Sequence, residues 1–250
     1  MKVIQILCES FNRHDLALAM PSIEQSGFTI LPMDGFPVDT SAKAIYAAQT
    51  ETHYEQRFEC KVFSGSKEFL FNRVKTRMFS TPWPSWMNIK ALDPMMKFTQ
   101  DLDYHEGNPQ EPQCRMFGDF CWFVRHRFYG SDYQHVIYLS TLGHSNWGRV
   151  VAENDGIPSS LENTFKWLWD SLSENLFPYV KWNETVGLIH QDHGTARTGR
   201  EFRSAMFDGF LLLKAPTPII ERHPVQWGNI RATVAKACGV LSSSSWEELC

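Results

Sequence analysis

Val186-Gly187-Leu188-Ile189 runs, one residue later, into Gln191-Asp192-His193-Gly194. Thr185 to Ile189 reads as a strand, apolar and of strand length, and the polar tetrapeptide reads as the turn that ends it. An aspartate and a histidine side by side at the end of a buried strand are poor structure builders, because both need partners there. Their oxygen and nitrogen donors suit a divalent metal held at the mouth of a sheet. A strand that simply ends in a polar turn is the other reading of the same residues.

Working outward, further strands are expected at Val3 to Leu7, Phe28 to Leu31, Lys61 to Phe63, His135 to Leu139 and Phe210 to Leu213. Helical spacing is expected over Leu16 to Gln25, Ala42 to Ala48, Glu68 to Met78, Phe117 to Phe128, Ser159 to Leu176 and Trp227 to Cys238, the last ended by Gly239. Residues 101–115 are polar, with two prolines and a glycine, and read as a loop or insertion. Strands separated by helices predict an α/β fold: a mostly parallel central sheet with helices on both faces, in one domain spanning 1–250. In such sheets, sites gather at the carboxyl ends of the strands.

Composition bounds the function. The 250 residues are 43% hydrophobic and 21% charged, which suits one substantial core and argues against disorder. A net charge of -4 gives no electrostatic case for nucleic acid or an anionic membrane. No apolar run is long enough to span a bilayer. Glu9-Ser10 interrupts the first apolar run too early for a signal peptide. The six cysteines are scattered without a CxxC pair, which favours reduced thiols and a cytoplasmic or otherwise soluble setting. A domain of a longer or secreted protein fits as well. The nine tryptophans are expected to fill the core, with some lining a pocket.

Glu9 follows the first strand within two residues, where a carboxylate either faces solvent or serves a site. Thr40 precedes a predicted helix, where it is either an N-cap or a nucleophile beside helix amides that stabilise an oxyanion. A threonine hydroxyl is a weak nucleophile unless activated, and metal coordination activates it. Glu9, Thr40, Asp192 and His193 would together make a four-ligand, mainly oxygen site for one divalent ion: manganese, zinc or magnesium. Arg197, in the arginine-rich run 194–203, could grip an anion or simply solvate a loop.

These segments resemble, in order along the chain, those of the alkaline phosphatase superfamily, in its sulfatase-like and lipoteichoic acid synthase-like branch. Ile6-Leu7-Cys8-Glu9-Ser10-Phe11 resembles the opening strand with its metal-binding Glu-Ser. Asp39-Thr40-Ser41 is similar to the segment of the threonine nucleophile, followed by serine. Phe63-Ser64-Gly65 and Phe71-Asn72-Arg73 are similar to a stretch whose Asn-Arg contacts the substrate phosphate. Leu139 to His144 is similar to the segment supplying a metal- or substrate-binding histidine, and Gln191-Asp192-His193-Gly194 to the late metal pair.

The resemblance implies a small anionic ester as substrate, Arg73 and Ser41 as substrate-binding residues, and His144 as a phosphate ligand or leaving-group acid. Two-metal members carry an aspartate where Ser140 stands, so one metal is expected. Phosphoglycerol transferases carry a histidine where Ser64 stands. Thr40-Ser41-Ala42-Lys43-Ala44 lacks the Cys/Ser-x-Pro-x-Arg of ordinary sulfatases. The expected function is metal-dependent hydrolysis or transfer of a phosphate ester, with sulfate or phosphonate esters as variants. A non-catalytic binding or scaffold protein on the same fold is the alternative. The chain shows no Gly-x-Ser-x-Gly elbow of an α/β hydrolase.

Overall fold

A computed structural model describes residues 1–8, 11–33, 74–80, 97–100, 111–140, 142–143, 159–191, 209–222, 224–240 and 247–250. Its strands are β1 (Lys2–Cys8), β2 (Thr29–Met33), β3 (Thr76–Ser80), β4 (Lys97–Gln100), β5 (His135–Ser140), β6 (Thr185–Gln191) and β7 (Gly209–Lys214). Its α-helices are α1 (Met20–Gln25), α2 (Glu111–His126), α3 (Ser159–Asn175) and α4 (Trp227–Ala237).

The strands form one seven-stranded sheet in the order β2-β7-β6-β1-β5-β3-β4. β1 lies in parallel register with β5 and with β6. β5 and β3, and β3 and β4, are also parallel pairs. Only β7 is reversed, pairing antiparallel with both β6 and β2. The mostly parallel sheet expected from the sequence is therefore present, with one reversed strand near its edge. β1 and β6 can be near-continuous apolar runs because a central parallel strand is covered on both faces. All seven residues of β6 are buried.

On one face, Ile4, Ile6, Phe79, Val136, Tyr138 and Ile189 join a cluster with α2 and α3, which supply Phe120, Phe123, Phe165, Leu168 and Trp169. The contacts are aromatic. Phe120 stacks on Tyr138 at 5.1 Å between centroids and 14° between planes. Phe11 meets Phe165 edge-on at 5.4 Å, as Phe28 meets Trp169. Such pairs contribute roughly 0.5–1.5 kcal/mol beyond the apolar area they bury. The other face carries Val3, Leu7, Ile137, Val186 and Leu188, all buried. There α4 contacts β1, and none of its described side chains joins the aromatic cluster.

Gly239 and Gly209 show two reasons for glycine, a positive φ, which Gly27 shares at +74°, and a close approach of neighbouring atoms. Gly239 takes φ +72° just past α4, where the Val240 amide donates to the Ala235 carbonyl at 2.9 Å, closing the helix as the sequence predicted. At Gly209, a Cβ would stand 2.3 Å from the Met33 carbonyl oxygen and 2.4 Å from Gln191 Nε2.

Three expectations are corrected. The helix expected over Glu68 to Met78 gives way at its end to β3, because residues 76–80 pair with β4 and β5, and that pairing outweighs local helical spacing. The loop expected over 101–115 already belongs to α2 from Glu111. Pro112 falls in the first turn, where a missing N–H leaves no helical bond unmade. Leu16 to Gln25 is not one helix but a 3-10 turn at Arg13–Leu16 followed by α1, with Pro21 at its start. β4 was not anticipated. The predicted helix at Ala42 to Ala48 and strand at Lys61 to Phe63 lie outside the described residues.

Candidate functional site at the carboxyl edge of the sheet

Three adjacent central strands end level with one another. Cys8, the last residue of β1, is in register with Ser140 at the end of β5 and with Gln191 at the end of β6. Partners in a parallel ladder point to the same face, so the three side chains form a row at the carboxyl edge. All three are fully buried. Among the described residues, the Ser140 hydroxyl and both amide atoms of Gln191 have no hydrogen-bond partner. A buried polar atom without a partner costs about 1–3 kcal/mol, so such atoms in a native fold call for an explanation, and a ligand-binding edge is one.

Behind this edge, on the α4 face, a chain of hydrogen bonds crosses four strands. Thr76 Oγ1 on β3 lies 3.2 Å from His135 Nδ1 on β5. His135 Nε2 lies 2.9 Å from Gln5 Oε1 on β1. Gln5 Nε2 lies 2.9 Å from His190 Nε2 on β6, and His190 Nδ1 lies 2.9 Å from the Gln191 carbonyl oxygen. The glutamine fixes both tautomers, because its oxygen can only accept and its nitrogen only donate. His135 Nε2–H therefore donates to Gln5, Gln5 donates to His190 Nε2, and His190 Nδ1–H donates to the carbonyl. Both imidazoles are neutral in this arrangement. Burial pushes His135 down to about 3 and His190 down to about 4, the backbone bond to Gln191 opposing the fall at His190. The ladder ends on the carbonyl of Gln191, the residue bonded to Asp192.

The residues predicted from sequence to form the site, Glu9, Thr40, Ser41, Arg73, His144, Asp192, His193 and Arg197, lie outside the described residues. The described residues supply the strands that lead into several of them. β1 ends one residue before Glu9 and β6 one residue before Asp192. Among the described residues no three His, Cys, Asp or Glu side chains group as a metal site. Cys121 and Cys238 are free thiols pushed up to about 12 by burial, so neither is a thiolate nucleophile at neutral pH. No helix of the described residues is long and apolar enough to cross a membrane.

Sequence reading missed the ladder and the Cys8–Ser140–Gln191 row. The available signal was Gln5 in the middle of the apolar run Val3 to Leu7. A polar side chain in a strand covered on both faces must find a buried partner.

No protein-family model and no curated protein matches the chain. Its backbone does match solved structures. The lipoteichoic acid synthase LtaP from Listeria monocytogenes aligns with a TM-score of 0.60 at 12% identity, over 98% of this chain and 73% of that one. BT1596, a 2-O GAG sulfatase, aligns with a TM-score of 0.66 at 11% identity, over 99% of this chain and 73% of the other. A protein in the alkaline phosphatase superfamily from Vibrio parahaemolyticus gives 0.60 at 12%, over 96% and 66%. At such identities the likeness is one of fold: the chain has the fold of the alkaline phosphatase superfamily, in the form it takes in sulfatases and lipoteichoic acid synthases.

Proposed function

We propose that the chain, acting as one domain over 1–250, is a metal-dependent hydrolase or transferase of phosphate esters, with sulfate or phosphonate esters as variants, working through Thr40. One observation carries the reading. β1, β5 and β6 end in register, and the ligand-type residues Glu9 and Asp192-His193 are the next residues along the first and last of them. Unpartnered Ser140 and Gln191 atoms at that edge, and three oxygen donors with one imidazole nitrogen, suit a hard or borderline divalent ion.

Glu9, Thr40, Asp192 and His193 would hold a manganese, zinc or magnesium ion, which when bound offsets negative charge on the threonine and phosphoryl oxygens. Thr40 Oγ1 releases its proton to solvent and attacks phosphorus in line with the leaving oxygen, forming a Thr40–O–P bond as the ester P–O bond breaks. His144 gives its proton to the departing oxygen. Arg73 and Arg197, with Ser41, hold the remaining phosphoryl oxygens. Water or an acceptor alcohol then takes the phosphoryl group and returns the Thr40 hydroxyl. Ser140, in place of a carboxylate, favours one ion over two.

The test is elemental analysis of wild type beside Asp192→Ala, with turnover of an aryl phosphate by wild type and Thr40→Ala. About one ion per chain, lost with Asp192, and turnover lost with Thr40 support the reading. No ion after soaking in manganese and zinc, together with no turnover, would overturn it in favour of a non-catalytic binding protein on the same fold.

A further inference from the structure

The outer surface of the helical layer carries a groove that the carboxyl edge does not use. It lies between α2 and α3 and encloses about 410 Å³. Trp122 on α2 and Trp167 on α3 line it, 54% and 45% exposed, although tryptophan is usually well covered. Arg125, His126, Ser171 and Asn175 supply its polar groups, and no carboxylate is among the described residues that line it. The last turns of α2 and α3 lead towards the starts of β5 and β6, so the groove opens towards the amino edge of the sheet, away from the row of Cys8, Ser140 and Gln191.

Gly118 shapes the groove. It lies within α2, where glycine costs about 1 kcal/mol relative to alanine, yet a Cβ there would meet nothing within 4 Å. Packing therefore does not demand the glycine; its effect is to leave the groove open. Cys121 contributes a lining surface and, with its thiol pushed up to about 12 by burial, no thiolate chemistry.

The size favours a small ligand over a protein. The volume falls in the small-molecule range of about 300–1,000 Å³. The described residues lining it are nine, against about 20–30 a side in a stable protein interface. Half-exposed indoles interleaved with hydroxyl- and amide-bearing side chains suit a ring that is apolar on its faces and polar at its rim. A pyranose is such a ring: its axial C–H groups lie against an indole face while its hydroxyls bond outward. The Arg125 guanidinium is a cation, and with no carboxylate beside it among the described residues that line the groove, the groove favours an anionic ring. The Arg125 guanidinium rests 4.1 Å from the Tyr179 ring, held at one side of the groove.

We propose that the α2–α3 groove is a second binding site, for an acidic sugar residue bearing a sulfate or carboxylate. The site is independent of the chemistry at the carboxyl edge.

The test is calorimetric titration with a sulfated heparin disaccharide, with neutral cellobiose and AMP as controls, on wild type, Trp122→Ala, Trp167→Ala and Gly118→Leu. The sulfated disaccharide is expected to bind wild type and cellobiose to bind at least about fivefold more weakly. Each tryptophan substitution is expected to weaken binding about tenfold. Gly118→Leu fills the groove with a better helix former, so it abolishes binding while the melting temperature holds or rises. Absence of binding by wild type, equal binding of cellobiose or AMP, or binding that survives both Trp122→Ala and Gly118→Leu would each overturn the proposal.

Discussion

The two faces of the sheet are built on different terms. The face under α2 and α3 is closed by aromatic rings, whose contacts tolerate a range of tilts from 14° to 86°. The face under α4 mixes aliphatic side chains with a hydrogen-bonded ladder, in which Gln5 assigns the direction of its bonds to His135 and His190. The first face depends on volume and the second on polarity as well. Filling a cavity could repair damage to the first. Damage to the second leaves a named nitrogen or oxygen without its partner.

The largest expected break in this comparison is on the aromatic side. Trp169 is fully buried and touches Phe28 and Phe177. Trp169→Ala should lower unfolding free energy by about 3–5 kcal/mol in denaturant titration. Trp169→Phe, which keeps much of the volume, should recover most of that. Equal losses from both would mean that volume is not what the face depends on.

On the ladder side, Gln5→Leu keeps the size but strands His135 Nε2–H and His190 Nε2, at about 1–3 kcal/mol each. Replacing Gln5, His135 and His190 together by leucine should cost less than the sum of the single changes, because only the Gln191 carbonyl then loses its ladder partner, while Thr76 keeps its bond to the Val74 carbonyl. Additive losses would show that the ladder is not coupled.

The smallest expected effect sharpens the contrast through pH. Both histidines have folded-state values far below the ordinary 6.5, so the unfolded chain binds protons that the folded chain refuses. The stability that depends on neutral imidazoles is complete above about pH 6.5 and falls as pH drops from there towards 4 and 3. Between pH 7 and pH 5 each histidine should remove about 2 kcal/mol. His135→Gln should therefore show a shallower loss over that window than wild type, and Trp169→Phe the wild-type slope. A wild-type slope for His135→Gln would mean that acid acts elsewhere.

Much of the fold was legible in the sequence. β1, β5, β6 and β7 are short apolar runs bounded by polar residues, and α3 and α4 carry helical spacing with a glycine after the second. β3 was not legible, because its residues gain their state by pairing with β4 and β5 and not from their own pattern. α2 was read too short because Pro112 looked like a breaker when it opens a helix. The ladder was invisible for a different reason. Gln5 and His190 are 185 residues apart, and only the β1–β6 register brings them to 2.9 Å. Of the candidate site, the strands that lead to it agree with the sequence reading, although β6 runs past Ile189 to Gln191, a residue read as part of the turn, and its side chains remain the proposal made from Glu9, Thr40, Asp192 and His193.

The position of β1 at the centre of the sheet also governs how the chain can acquire its structure during synthesis. Val3 pairs with His135 and with Val186, so the central strand must wait until its partners have been made. At about 5–20 residues per second, more than 120 residues of delay leave an apolar segment uncovered for roughly 6–25 s. The edge strand β2 waits for β7 at residues 209–214, across a separation like that between β1 and β6. Such long-range pairing makes for slow, nearly all-at-once folding. A nascent chain of this design therefore depends on having Val3 to Leu7 shielded until the later strands emerge.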